Sequence, residues 1–390
     1  MDKPAAEPIK LYVDASPLAE DNITGTPHFT AELTKALERH PDNGKKFRLI
    51  LVIAFDKKKK LSRWNYARVS FKTIPLPLRL LNLTWKYNLL PPMDRLLGRG
   101  FYLFPNYKNW RLGRSSYSLT YIHDLGFMRY PQFTQPKNLE FLKTHIQKWI
   151  ARASVILTGS DHAREEIINL LNVAPEKVTR IYHGVDHRQY YPRPDAEIKA
   201  AKAKYDIEGD YILYIGSLEP RKNLTRLIAG YCQLPQKLRD RYSLCLIGGG
   251  GWLNDEILAA IKSTRDQGFN IVQPSQYVED EDLPSLLSGA SLLAHPALYE
   301  GFGLSPLQAM ACGTPVLVAD NSSLPEVVGQ AGILADAESD KDISAKIEKV
   351  LTDEKYCSGM VRSGLRQAQK FKWETTANEL LECIDRLKSK

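Results

Sequence analysis

Short, almost unbroken apolar runs recur along this 390-residue chain, each followed by a stretch with helical spacing of its apolar residues. In the first half the runs are residues 11–15, 48–54, 101–104, 119–122, 155–158 and 178–182; in the second they are 211–215, 244–247, 270–272, 291–294 and 315–319. A strand that is apolar throughout, rather than at alternate positions, needs cover on both faces. Strands alternating with helices supply that cover in a parallel, doubly wound sheet, so the fold class is α/β. Helices are expected over 26–39, 84–97, 137–151 and 161–171, then 224–232, 254–265, 282–287, 343–351, 355–370 and 374–387. The first shows the pattern, with Phe29, Leu33, Ala36 and Leu37 on one face.

The series is interrupted once by a polar, proline-bearing stretch, Tyr191-Pro192-Arg193-Pro194, which marks a linker. The expected organisation is a first domain over 1–190, a second over 191–372, and a terminal amphipathic helix in 373–390 that returns to the first. The length is too great for one ordinary domain. The N-terminal residues are polar, and no run of about 18 apolar residues occurs, which predicts a cytoplasmic chain with no membrane span. Cys232, Cys245, Cys312, Cys357 and Cys383 are widely separated and mostly sit in apolar runs, the pattern of reduced core thiols.

Charge divides the chain unevenly. Residues 1–190 hold 30 Lys and Arg against 17 Asp and Glu, whereas the remainder is acidic. The excess lies in residues 57–114, with 14 basic residues and a single acid, Asp94, interleaved with Trp64, Tyr66, Leu76, Leu78, Leu80, Leu81, Leu83, Trp85 and Tyr87. Three readings fit: an anionic membrane surface, an ordinary solvated face, or nucleic acid. With no nucleic-acid-binding module beside the charge, nucleic acid is not an expected partner.

Chemistry concentrates in HPALYEGFGLSPLQAMACGTPVLVADNSSLPEVV, residues 295–328. A lone carboxylate, Glu300, precedes Gly301-Phe302-Gly303 and a helix expected to start near Ser305-Pro306. Glycines let the backbone approach a ligand, proline fits a first helical turn, and the free N–H groups there suit an anion. A phosphate held beside hydroxyls that a carboxylate can bind is the chemistry of a nucleotide-sugar. Arg221 and Lys222 follow the run 211–215 and its Gly216-Ser217 turn, at the edge where open parallel sheets bind ligands. Adjacent cations suit a pyrophosphate and disfavour an empty helix start.

The segments SDHAREEI, HGVD, YILYIGSLEPRKNL, YVEDEDL, HPALYEGFGLSPLQAMACGTPVLVAD and NSSLPEVVGQAGIL occur in that order. Together they resemble the retaining glycosyltransferases of the large nucleotide-sugar family four. The resemblance covers most of the chain and is strongest over 211–334. It implies the GT-B fold, two facing Rossmann-like domains with a cleft between them. It also implies that Arg221 and Lys222 grip the donor diphosphate, that Glu300 binds hydroxyls of the donor sugar, and that His123 in YIHDL faces sugar and phosphate. Gly25, Gly216, Tyr277, Val278, Gly301, Phe302, Gly303, Leu304 and Gln308 would line the donor, the backbone at Tyr277 and Val278 meeting the nucleobase. The Gly-Trp pair in LIGGGGWLNDEI is similar to the mannosyltransferase branch that uses GDP-mannose, with a UDP-sugar as the alternative donor.

This sequence departs from the family pattern at three places. After seven intervening residues the family has a second Glu, for the nucleotide ribose, where this chain has Gln308. Pro27 stands where a second glycine is usual, and His28 where Arg is common. Losing a charge-assisted hydrogen bond at Gln308 costs on the order of 1–2 kcal/mol.

Other constellations are set aside. Asp280-Glu281-Asp282 contains an Asp-x-Asp, but it opens a helix, where carboxylates complement the dipole. His183 and His187 flank the linker rather than a helix face, and Gly248 to Gly251 lacks the dinucleotide fingerprint. The expectation is a retaining, metal-independent hexosyltransferase without a cofactor, peripheral on the inner face of the membrane. It would carry mannose to a saccharide or lipid-linked acceptor of an envelope polysaccharide. A non-catalytic sugar-nucleotide-binding scaffold would explain Gln308, and a nucleotide-sugar epimerase would need an acid/base pair at the sugar's C2.

Overall fold

The structure, a computed structural model, describes residues 7–21, 25–86 and 89–389. The first sheet has seven parallel strands: β1 (Ile9–Asp14), β2 (Phe47–Ala54), β3 (Ser70–Ile74), β4 (Phe101–Phe104), β5 (Tyr117–Tyr121), β6 (Val155–Thr158) and β7 (Val178–Arg180), in the order β3-β2-β1-β4-β5-β6-β7. The second has six: β8 (Asp210–Ile215), β9 (Tyr242–Ile247), β10 (Ile271–Val272), β11 (Leu292–His295), β12 (Val316–Ala319) and β13 (Ile333–Ala335), in the order β10-β9-β8-β11-β12-β13. These are two Rossmann-like domains of a GT-B fold.

Strand β2 shows why apolar runs make such sheets. Leu49, Leu51 and Ile53 enter one core and Ile50, Val52 and Ala54 another, on opposite faces. Each Leu, Ile or Val among them, once buried, contributes about 1.5–3 kcal/mol. The order of each sheet reverses between β1 and β4, and between β8 and β11. Those switch points open crevices at the carboxyl ends of the strands, and the loops after β5, β8 and β11 face one another there.

Several elements differ from the sequence expectation. The helix expected over 84–97 is two helices, Leu78–Lys86 and Met93–Leu97. Pro91 and Pro92 separate them, because proline lacks an N–H and disfavours helical geometry in the residue before it. Of that expected helix, Tyr87 and Asn88 lie outside the described residues. Strand β3 has no apolar run, since four of its five residues are exposed at the sheet edge. The helix Asp195–Lys204 follows the proline-bearing stretch and buries only Ala201, so its sequence carries little amphipathic signal.

The helix Trp373–Lys388 crosses back from the second domain. Trp373, Ala377, Leu380, Cys383 and Ile384 complete the core around β1, β2 and the helix Thr26–Arg39. The crossing is fixed by Val185 N–H donating to the Phe371 carbonyl (3.3 Å) and Thr376 Oγ1 donating to the Tyr182 carbonyl (2.7 Å). Gly184 lies in the crook, where a Cβ would come 2.2 Å from the Trp373 nitrogen. Gly184→Ala therefore displaces backbone rather than a side chain. It should destabilise the protein by about 1–3 kcal/mol, read as a drop in melting temperature; an unchanged melting curve would show that the crossing adapts freely.

Candidate active site

The loops after β8 and β11 are tied to each other before any side chain is considered. Leu298 N–H donates to the Arg221 carbonyl (2.9 Å). Asn223, in the left-handed region, spans Pro296 O (2.9 Å) and Ala337 O (2.7 Å) through Nδ2. Gly301 is required by the first domain: a Cβ there would lie 2.5 Å from the His123 carbonyl. Gly303, at φ +103°, precedes the helix Leu304–Ala311, with Pro306 in its first turn.

Glu300 sits at the centre. Lys222 Nζ donates to Oε1, His295 Nε2 lies 2.7 Å from the same oxygen, and Arg221 Nη1 is 3.4 Å from Oε2. Arg221 also donates to the Tyr299 carbonyl (2.8 Å) and, through Nη2, to Glu219 Oε1 (2.8 Å). Ser322 Oγ accepts from Glu300 N–H (3.1 Å), and Ser323 Oγ donates to the Glu300 carbonyl (2.9 Å). Burial alone would raise the Glu300 pKa. The Lys222 charge, the His295 hydrogen bond and the Arg221 charge outweigh it and hold the carboxyl well below its ordinary range. His295 is pushed down by burial despite Glu300, so it is neutral near pH 7 and donates from Nε2. The result is two cations and two carboxylates, nearly dehydrated, at the second switch point.

His123 follows β5 on the opposite wall. Its Nε2 is 2.8 Å from the Pro105 carbonyl, and its ring stands edge-on to Phe29 at 4.9 Å. His28 lies in the first turn of the helix Thr26–Arg39, whose N-cap Gly25 adopts φ +56°. Burial lowers the pKa of both histidines. His183, set aside at the sequence level, packs between Phe29 (4.6 Å), Phe302 (4.6 Å) and Trp373 (6.0 Å), and is pushed well down by burial.

The remaining candidates divide. Gly216 directly follows β8, its N–H bonded to the Ile247 carbonyl (3.0 Å). Tyr277 is 68% exposed, whereas Val278 is buried. Phe302 is also buried, against Tyr182, His183 and Phe371, so only its backbone is available to a ligand. Leu304 begins its helix, and Gln308 is buried within it. Asp282 does not cap the helix Leu283–Ser288 with its side chain; its carboxylate takes Lys204 Nζ (2.6 Å) and Tyr205 OH (2.6 Å).

Sequence reasoning missed His295 and the contacts that join the domains. Ser160 Oγ donates to the Gly301 carbonyl (2.9 Å). Glu326 accepts from the N–H groups of Asp161 (2.8 Å) and His162 (3.3 Å) and from Tyr182 OH (2.7 Å). Tyr299 OH reaches Glu166 and Leu125.

The family model "Glycosyl transferases group 1" matches residues 195–367. O-antigen chain mannosyltransferase B of Escherichia coli is 36% identical over 267 residues, 68% of this chain and 69% of that protein. The chain belongs to the group 1 glycosyltransferases. As a member of that family it is a hexosyltransferase. The serotype-specific mannosyltransferase WbdA of Escherichia coli is 33% identical over 239 residues, 60% of this chain but only 29% of that longer protein. Among solved structures, Anabaena HepE in complex with UDP and glucose superposes with a TM-score of 0.74 at 17% identity, covering 97% of this chain and 100% of that one. That likeness speaks for the fold.

The buried histidines give this group 1 glycosyltransferase a defined pH response. A histidine whose folded pKa lies below its unfolded value of about 6.5 contributes fully above pH 6.5, and its contribution is lost as pH falls toward the folded pKa. For His183, held down by burial, stability is therefore lost as pH falls from 7 to 5. Melting temperatures of the parent chain should fall over that interval, and His183→Gln should flatten the slope. Parallel pH profiles would mean that His183 is not held neutral.

Proposed function

We propose that this chain is a retaining, metal-independent mannosyltransferase that takes its sugar from GDP-mannose and builds an envelope polysaccharide. The observation that carries the reading is the pairing of Arg221 and Lys222 with Glu300 at the mouth of the second sheet. Two cations side by side match a diphosphate, and a carboxylate held ionised beside them matches sugar hydroxyls. The mannosyltransferase relative supports the choice of sugar.

In the proposed reaction the bond from the hexose C1 to the diphosphate oxygen breaks and one from C1 to an acceptor hydroxyl oxygen forms. The acceptor's proton passes to the departing phosphate oxygen on the same face, which retains configuration at C1. Arg221 and Lys222 stabilise the charge that grows on that oxygen. Glu300, the helix start at Leu304 and the His123 wall hold the sugar over it. Incubating the protein with labelled GDP-mannose, UDP-glucose and lipid-linked or free saccharides tests this. Mannose transfer from GDP-mannose is expected, with Glu300→Ala lowering it at least a hundredfold. Tight donor binding with neither transfer nor slow hydrolysis would instead favour a sugar-nucleotide-binding scaffold, the reading that the amide at Gln308 keeps in view.

The acceptor would be met at the inner face of the membrane. No helix among the described residues is long and apolar enough to cross a bilayer. Yet the basic segment exposes Leu80 (45%), Leu83 (50%) and Leu96 (55%), and Phe55 (54%) lies just before its run Lys57, Lys58, Lys59 and Lys60. Leu80 and Leu83 share one face of the helix Leu78–Lys86, which is tethered to the lysine-bearing turn by Leu78 N–H donating to Asp56 Oδ1 (3.0 Å). Apolar side chains among cations suit an anionic interface, at about 1 kcal/mol for each Lys or Arg close to the surface. The chain should float with phosphatidylglycerol vesicles at low salt and be released by salt; failure to float would sink the membrane reading.

A further inference from the structure

We propose that Tyr299 is a positioning residue through which the first domain sets the geometry of Arg221 and Glu300. It precedes Glu300 in the loop after β11, and its ring lies between the domains, 3% exposed. The hydroxyl donates to Glu166 Oε2 and accepts from Leu125 N–H at 3.0 Å; both partners belong to the first domain. The carbonyl of the same residue accepts from Arg221 Nη1 at 2.8 Å. One residue thus carries the first domain's grip at one end and the site's arginine at the other.

The neighbouring contacts act on the same segment. Tyr130 OH donates to the Leu298 carbonyl (3.3 Å) and Ser160 Oγ to the Gly301 carbonyl (2.9 Å). Residues 298–301 are therefore held from the first domain on both sides of Glu300. Glu166 is well suited as the anchor. It is buried, and although burial acts to raise its pKa, hydrogen bonds from His162, Tyr299 and Arg129 keep it ionised. Arg129 Nε lies 2.5 Å from Oε1, leaving Oε2 for the tyrosine. Apolar packing alone does not explain a tyrosine here. Phenylalanine would fill the same space but would leave the Leu125 N–H without its acceptor and Glu166 short of one donor.

Separating the domains breaks the Tyr299 contacts, and with them the restraint on the carbonyl that orients Arg221. Closure and assembly of the site are then one event. This inference rests on hexosyl transfer by the family and not on the identity of sugar or acceptor.

Full-length Tyr299→Phe and Glu166→Gln, and their double variant, test it with two readouts. In steady-state kinetics Tyr299→Phe should lower kcat about tenfold or more, while the dissociation constant for GDP-mannose shifts less than about threefold and the melting temperature falls by no more than a few degrees, as one unpaired buried N–H requires. The double variant should be no slower than Tyr299→Phe, because both changes sever one link. In hydrogen exchange without donor, peptides covering 219–223 and 298–303 should exchange faster in Tyr299→Phe, with the core strands unchanged. A kcat within twofold of the parent, or additive losses in the double variant, would overturn the proposal. If the parent turns over no GDP-mannose, the donor assignment fails, and unchanged exchange at 219–223 would overturn the role of Tyr299 by itself.

Discussion

The charge cluster of Arg221, Lys222, Glu219 and Glu300 is the interaction around which both loops of the second domain are arranged. In a low-dielectric setting an isolated charge is costly, and these four tolerate burial because each has a partner of opposite sign. Arg221 meets two carboxylates and a carbonyl, and Glu300 meets two cations and an imidazole. The cations have shed most of their water before any ligand arrives. An anion entering here, as the proposed function requires, would exchange partners with Glu300 and would not have to strip most of the water from these cations, which is the sense in which such a site is preorganised.

The strands that position this cluster were legible in the sequence because they are buried on both faces. β2, β4, β8 and β12 appear as apolar runs since each feeds two cores. β3 was not legible, because an edge strand with exposed side chains carries no such run. The helix expected over 84–97 failed for a local reason, two prolines that spacing of apolar residues does not register. At the site, Arg221, Lys222 and Glu300 stand out as motif residues, and the structure brings them within contact of one another. His295 was passed over because a histidine ending a strand, five residues from the carboxylate it serves, has no periodic signature. Tyr299, Glu166, Ser160 and Glu326 were beyond reach: they meet across domains, more than 130 positions apart, and their pairing exists only once both sheets are formed.

The aromatic stack across the crevice adds a second coupling. Phe302, in the middle of the Glu-Gly-Phe-Gly segment, is turned away from the cleft and packs on His183 and Phe371. His183 in turn touches Phe29 and Trp373. A residue that looks like part of the ligand loop is thus a structural bolt between the domains.

The return of the helix Trp373–Lys388 to the first domain has a consequence for how the molecule is made. The core around β1 and β2 lacks one wall until residues that follow the entire second domain have been synthesised. A ribosome-bound chain ending before Trp373 would present that wall as exposed apolar surface, while its second domain could already close. The core of the first half of the sequence can therefore be completed only after the second half has been made.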